Sequence, residues 1–241
     1  MLPVAVPLPL SPRARIVVDF PSTNPDWILP ENQVPESRPH DLVVEHVRAL
    51  LAAWAVRSAR SALVCRNLAV RWNEATPAMG VDPDICVIDP PAPEGDALTS
   101  LQLWETGHVP PIVAVEIVSP TRPDKDYTES PAKYAANGTG ELWVFDPMLA
   151  GRKALDGPHR IQVWRRSEEG DFLRVYAGEG PAWSETVKGW LVVVAGGSAL
   201  ALADDKAGTR RWRTAEEEAQ RRAERLAAKL RELGVDPDTI D

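Results

Sequence analysis

Two acidic residues stand in the most apolar part of the chain and could hold a divalent metal ion. Glu116 lies within the apolar run IVAVEIV, and Asp84 stands immediately before a second apolar run, ICVI. A carboxylate inside such a run needs a partner, because burying an unpaired charge is costly. With a backbone carbonyl, the two carboxylates would form an all-oxygen site that favours Mg²⁺ or Mn²⁺. The alternative interpretation is a structural pair of acids at the strand ends.

A metal ion at such a site has a definite chemistry. It lowers the pKa of a bound water and stabilises charge that develops on a phosphate, so the expected reaction is hydrolysis of a phosphate ester. Other catalytic signatures are absent, because the sequence contains no GxGxxG, GxxxxGK[ST], GxSxG or HExxH motif. The four histidines lack metal-ligand spacing, so we interpret them as surface or structural residues and expect no zinc site: His40, His46, His108 and His159.

The elements that must position these acids follow a mixed α/β pattern. Apolar residues recur at helical spacing after Asp41, which predicts a helix capped by that residue. Ser130 and Pro131 predict the start of a short helix, and Gly138 predicts its end. The predicted strands include VDPDICVID, IVAVEIVS and ELWVFDP, followed by a hairpin of RIQVWRR and DFLRVYAG. We therefore expect a central mixed sheet flanked by helices.

Three segments are expected along the chain. Residues 1–40 are proline-rich and extended, with a short edge strand in ARIVVDF; residues 41–205 form the α/β domain; residues 206–241 form a helical tail. In the tail, apolar residues recur every three or four positions, which predicts an amphipathic helix. This helix either packs on its own domain or pairs with a second copy to form a homodimer.

Composition excludes other classes of protein. No apolar run approaches the roughly 20 residues of a membrane helix, and the N-terminal residues lack the basic stretch of a signal peptide. We therefore expect a cytoplasmic protein without a membrane partner. The net charge of −8 argues against non-specific coating of nucleic acid, so DNA would have to bind a local basic groove.

Taken in order, these pieces resemble the Uma-two family of restriction endonuclease-like proteins, within the PD-(D/E)XK nuclease superfamily. The matching pieces are Pro83–Asp84 with ICVID, then VEIVSPT, Asp126, Tyr134, Gly138 and ELWVFDP, and the likeness spans residue 41 to the C-terminus. The resemblance implies a restriction-endonuclease-like core and a Mg²⁺-dependent endonuclease acting on DNA. It also implies a metal site formed by Asp84, Glu116 and the carbonyl of Ile117. Glu45, on the first helix, is a weaker candidate ligand.

The chain departs from the family pattern at the catalytic lysine. The superfamily places this lysine two residues after the glutamate, where the chain has Val118. Members of the family carry it four residues before the tyrosine, where the chain has Ser130. We predict that Lys133, which lies three residues after Ser130 and on roughly the same helix face, orients the attacking water or stabilises the phosphate. Lys125 in the preceding loop is another candidate.

These departures leave other functions open. One is a catalytically weak or inactive nuclease-fold protein that acts as a binding or assembly module through its terminal helix. Another is a metal enzyme acting on small phosphate esters, which fits the acidic composition. Asp126 matches the family pattern, and the alternative for it is a loop or capping acid.

Overall fold

The computed structural model describes residues 15–16, 37–153 and 157–236, and its centre is a mixed sheet of seven strands. In spatial order these are β1 (Arg15–Ile16), β10 (Phe172–Gly178), β9 (Ile161–Arg166), β8 (Glu141–Phe145), β7 (Val113–Ile117), β5 (Ile85–Ile88) and β2 (Leu63–Arg66). Strands β7 and β8 are parallel, whereas β7 and β5 are antiparallel. The predicted central sheet, the edge strand in ARIVVDF and the β9–β10 hairpin are confirmed. The rest of the predicted N-terminal segment before residue 37 lies outside the described residues.

Strand β7 lies inside the sheet, and all five of its residues are buried. Successive side chains of a strand point to opposite faces. Val113 and Val115 join the apolar core that contains the buried face of helix α1 (Arg38–Arg57). Ala114 joins a second core with helix α2 (Ser130–Asn137). Glu116 therefore faces the α2 side of the sheet.

Helix α1 begins at Arg38, so the predicted cap at Asp41 is wrong. Ser37 is the N-cap, with an extended backbone at φ −72° and ψ 148°, and Pro39 lies in the first turn. A proline fits there because the first N–H groups of a helix have no intrahelical partner. Asp41 lies in the first turn and forms an ion pair with Arg66. The helix buries one apolar face against the sheet: Val44, Val47, Leu50, Leu51, Trp54 and Ala55.

The chain before α2 also differs from the prediction. A π-helical turn occupies Lys125–Glu129 and continues directly into α2. Ser130 therefore has helical angles, φ −57° and ψ −49°, rather than the extended backbone of an N-cap. Its hydroxyl donates to Asp126 Oδ1 at 3.3 Å instead of capping the helix. Gly138 ends α2 as predicted, with a left-handed φ of 88°.

Two smaller sheets complete the described part of the domain. One contains β3 (Ala69–Arg71), β4 (Gly80–Val81) and β6 (Ser100–Gln102), and the other contains β11 (Ala182–Ser184), β12 (Gly189–Val194) and β13 (Ala199–Ala203). Short 3₁₀ turns occupy Gly95–Ala97 and Ala195–Gly197. The apolar run SALVCRNLAVRW is divided between two sheets, and Asn67 adopts a positive φ of 49° between β2 and β3.

Helix α3 (Ala215–Glu232) forms the predicted amphipathic tail. Thr214 and Glu217 form a reciprocal capping box at its start. None of its 18 residues is buried, and Leu226 is 57% exposed. The tail is thus helical, but it does not pack along its length on its own domain. Among the described helices, none is long and apolar enough to cross a membrane.

Candidate metal and catalytic site

Asp84 and the end of β7 are brought together by antiparallel pairing. Ile85 of β5 lies opposite Val115 of β7, so the residue before β5 reaches the last residues of β7. The N–H of Ile117 donates to Asp84 Oδ2 at 2.6 Å, and Asp84 is only 6% exposed. The carboxylate predicted as a metal ligand therefore lies beside the Ile117 peptide.

Glu116 is completely buried on the α2 side of the sheet. The Tyr134 hydroxyl donates to Glu116 Oε1 at 2.6 Å, and Lys125 Nζ lies 3.4 Å from Oε2. Burial raises the pKa of Glu116 to about 8; the Lys125 ammonium opposes this rise, and the Asp126 and Asp84 carboxylates add to it. Burial, and then the Glu116 carboxylate, hold the pKa of Tyr134 well above its usual value.

The π-helical turn brings a cation and a third acid to this cluster. Lys125 Nζ lies 3.5 Å from Asp126 Oδ1, and Asp126 is 2% exposed. Burial raises the pKa of Asp126 to about 6, although the neighbouring ammonium lowers it. The Glu116 carboxylate raises the pKa of Lys125 above its ordinary value, so this side chain is a stable cation. One third of the Lys125 side chain is exposed, so it connects the buried acids with solvent.

The charges of this cluster fit a divalent cation. Three buried carboxyl groups, those of Asp84, Glu116 and Asp126, face one ammonium, that of Lys125. When ionised, the acids carry two more negative charges than the Lys125 ammonium balances. Burial is the main cause of the raised pKa values of Glu116 and Asp126, and the neighbouring carboxylates add to it. The donors are oxygens, the type that Mg²⁺ and Mn²⁺ prefer. Across the described ranges, no three histidine, cysteine or carboxylate side chains converge on one point, so the fit requires the backbone carbonyl of Ile117.

Two other buried carboxylates show what a structural acid looks like in this fold. Glu141 and Asp146 are as buried as Glu116. Glu141 accepts from Trp143 Nε1, Arg165 Nε and the N–H of Glu185. Asp146 accepts from the Tyr127 hydroxyl and from the N–H groups of Met148, Ala150 and Gly151. Such networks satisfy a buried charge, whereas Glu116 accepts, from the residues that the structure describes, only one short hydrogen bond and one longer contact.

Lys133, the lysine predicted from the sequence, lies on α2 and pairs with a different acid. Its ammonium is 3.7 Å from the Glu129 carboxylate one turn earlier in the chain. Burial lowers the pKa of Lys133, and Glu129 raises it. Val118, at the position where the superfamily has its lysine, is 1% exposed and belongs to the apolar core. The ammonium that contacts Glu116 therefore comes from Lys125.

Sequence reasoning missed one side chain at this site. His40 Nε2 lies 2.9 Å from the Ile117 carbonyl oxygen and 3.3 Å from Asp84 Oδ2. The only local signal was its place just before an amphipathic helix, which does not reveal a contact with β7. Tyr134 was recognised as a motif position without a role. Glu45 pairs instead with Arg48 on an exposed face of α1, at 2.7 Å.

Comparison with known proteins identified one family model and a similar solved structure. Residues 26–190 match the family model of Uma2, described as "Putative restriction endonuclease". One similar solved structure is a "putative nuclease belonging to DUF820" from Anabaena variabilis ATCC 29413. It has a TM-score of 0.42 and 18% identity, over 63% of this chain and 73% of that chain. The search of curated proteins found no match. Because the family match covers more than half of the chain and spans the whole candidate site, the chain belongs to the Uma2 family.

Proposed function

We propose that this protein is a metal-dependent endonuclease that hydrolyses phosphodiester bonds of DNA, with Mg²⁺ or Mn²⁺ as its cofactor. The observation that supports this most is the buried cluster of Asp84, Glu116 and Asp126, whose carboxyl groups outnumber the single ammonium of Lys125. The family match adds the reaction class, because its description is that of a restriction endonuclease.

In this proposal Asp84, Glu116 and the carbonyl of Ile117 hold the metal ion. When bound, the ion supplies an acidified water and stabilises negative charge on the scissile phosphate. The Tyr134 hydroxyl fixes the orientation of the Glu116 carboxylate through their 2.6 Å hydrogen bond. The N–H of Ile117 does the same for Asp84. These contacts restrict both carboxylates to one geometry before any substrate arrives.

We assign the role of the missing family lysine to Lys125. Its ammonium is within 3.4 Å of Glu116, and its pKa is raised, so it stays protonated and can donate to a phosphate oxygen or to the attacking water. Lys133 remains the prediction from the sequence, but its pairing with Glu129 makes it the weaker candidate.

The alternative is a nuclease-fold protein that binds or assembles without turnover. Its support is the complete burial of Glu116, which a hydroxyl and an ammonium already contact. Such a protein would bind no Mn²⁺ at Asp84 and Glu116, whereas the proposed nuclease must bind it. A metal enzyme for small phosphate esters would instead hydrolyse aryl phosphates and leave plasmid DNA intact.

The proposed activity can be tested on supercoiled plasmid with Mg²⁺, Mn²⁺ or EDTA. We expect metal-dependent nicking or linearisation by the unaltered protein and a loss of about 100-fold or more in Glu116→Gln and Asp84→Asn. Glu45→Gln is the matched control, because that carboxylate pairs with Arg48 on an exposed helix face, and it should cleave normally. Cleavage that persists in Glu116→Gln, or no cleavage with either metal, contradicts the proposal.

We also propose that α3 forms a homodimer by pairing antiparallel with a second copy. On its apolar face Leu226 is 57% exposed, and none of the residues of α3 is buried within the described chain. Its first turn carries Glu216, Glu217 and Glu218, and its last turn carries Lys229 and Arg231. An antiparallel pair places each acidic turn beside a basic turn, so the charges of the two copies are complementary, and such a pair is compatible with two-fold symmetry.

A further inference from the structure

The side chain of His40 places a ring nitrogen, Nε2, beside two of the atoms that are proposed to bind the metal ion. Its Nε2 is 2.9 Å from the Ile117 carbonyl oxygen and 3.3 Å from Asp84 Oδ2. The Ile117 oxygen and the Asp84 carboxylate oxygen are two of the three ligands of the proposed site. Nε2 therefore lies beside one backbone oxygen and one side-chain oxygen from two other parts of the fold.

Their separations match those of neighbouring ligands around one cation. Two bonds of about 2.1 Å at right angles place their ligand atoms about 3.0 Å apart. The observed 2.9 Å and 3.3 Å lie close to that value. Atoms at this spacing can share a proton, as in a hydrogen bond, or a metal ion. Binding a cation requires the lone pair of Nε2, so the ring proton would then lie on Nδ1.

The fold holds this imidazole firmly in place. His40 lies in the first turn of α1, and its side chain is only 9% exposed. The next turns of the same helix bury Val44 and Val47 completely in the core that includes Ile117. Packing of the helix against β7 therefore fixes the distance from the ring to the strand, and little side-chain entropy remains to be lost on binding.

We propose that His40 is a protein ligand of the metal ion, beside Asp84 and the Ile117 carbonyl, which makes the site a mixed nitrogen and oxygen site. This inference rests on the proposed metal-dependent function. An imidazole ligand favours first-row transition metals, whereas Mg²⁺ prefers oxygen donors. The site should therefore bind Mn²⁺ or Co²⁺ more tightly than Mg²⁺.

The direct test is electron paramagnetic resonance of the full-length protein with bound Mn²⁺. Electron spin echo modulation should show coupling to a ¹⁴N nucleus of a coordinated imidazole in the unaltered protein and no such coupling in His40→Gln. Titration should show Mn²⁺ affinity falling by about tenfold or more in His40→Gln, with a smaller change for Mg²⁺. His46→Gln is the matched control, because His46 lies on the same helix but lines a pocket between α1 and the first turn of α3, and this variant should keep both the coupling and the affinity.

The outcomes separate this inference from the proposed function. Mn²⁺ that binds and is lost in Glu116→Gln, but shows no imidazole coupling, overturns the role of His40 and leaves the proposed metal site standing. An unaltered protein that binds no Mn²⁺ overturns both. If His40→Gln lowers thermal stability, His40→Glu gives a second measurement. Its side chain carries an oxygen donor about as far from the backbone as Nε2, so it should restore Mn²⁺ binding without the ¹⁴N coupling, and failure to do so in a folded variant counts against a ligand at this position.

Discussion

Lys125 gives the site its positive charge from an unexpected place in the chain. The superfamily pattern puts the lysine directly after β7 and the family pattern puts it in the following helix, but the chain has Val118 and Ser130 there. The π-helical turn carries Lys125 to 3.4 Å from Glu116, while the Lys133 ammonium stays with Glu129. At the scale of single residues, the same charge can thus be delivered from a different sequence position.

Replacing Lys125 and Lys133 separately tests which of the two assists cleavage. We expect Lys125→Met to slow single-turnover plasmid cleavage by about 100-fold or more, because a donor to developing charge is lost. Lys133→Met should slow it less than about tenfold. Mn²⁺ affinity should be unchanged or higher in Lys125→Met, since a competing positive charge is removed. Equal losses in both variants would contradict the assignment of this role to Lys125, and a larger loss in Lys133→Met would favour the lysine predicted from the sequence.

At the scale of elements, α1, β7 and the π-helical turn each deliver part of the site. Helix α1 supplies His40, β7 supplies Glu116 and the Ile117 carbonyl, and the π-helical turn supplies Lys125. A π turn places more residues in each turn than an α-helix does and often occurs at functional sites. Here the π-helical turn places Lys125 beside Asp126 and the other buried acids. The helix that follows places the Tyr134 hydroxyl within hydrogen-bonding distance of Glu116.

The proposed pairing of α3 with a second copy of the chain can be tested in solution. We expect the unaltered protein to be a dimer by light scattering coupled to size exclusion. The double variant Leu226→Lys and Leu230→Lys should be a monomer, because two cations would enter the paired apolar face. Ala228→Lys introduces one lysine on roughly the opposite face of α3, and this variant should remain a dimer. A monomeric unaltered protein, or a dimer that survives the double variant, contradicts pairing through α3.

At the scale of the whole molecule, the buried acids make stability depend on pH. The folded pKa of Glu116, about 8, is above its ordinary value of 4.5. Between these values the unfolded chain has released this proton and the folded protein still holds it. The contribution of Glu116 to stability is therefore complete below pH 4.5 and is lost as the pH rises through about 8.

Thermal unfolding of the metal-free protein should show this dependence. We expect the melting temperature of the unaltered protein to fall, relative to that of Glu116→Gln, as the pH rises from 5 to 8, because glutamine does not titrate. Glu45→Gln, which changes an exposed carboxylate, should follow the unaltered protein. Parallel curves for the unaltered protein and Glu116→Gln would show that Glu116 has no raised pKa.

Much of the fold could be predicted from local patterns. Alternation along β7 correctly separates the face of Val113 and Val115 from that of Ala114 and Glu116, because side chains of a strand alternate. Helix ends were harder to predict. Asp41 was mistaken for a cap because several residues near a helix start are acceptable caps, and the choice among them depends on neighbours such as Arg66.

The sequence by itself determined that Glu116 would be buried in a central strand and that it would need partners, because apolar periodicity and the cost of burying charge are local properties. Only the tertiary structure decided which partners those are. His40 and Ile117 are 77 positions apart, and their contact depends on how α1 packs on β7. The contact of Glu116 with Lys125 rather than Lys133 depends on the π-helical turn, and no pattern in the sequence predicted that turn. Periodicity specifies a face, whereas the distance between two side chains is set by the packing of whole elements.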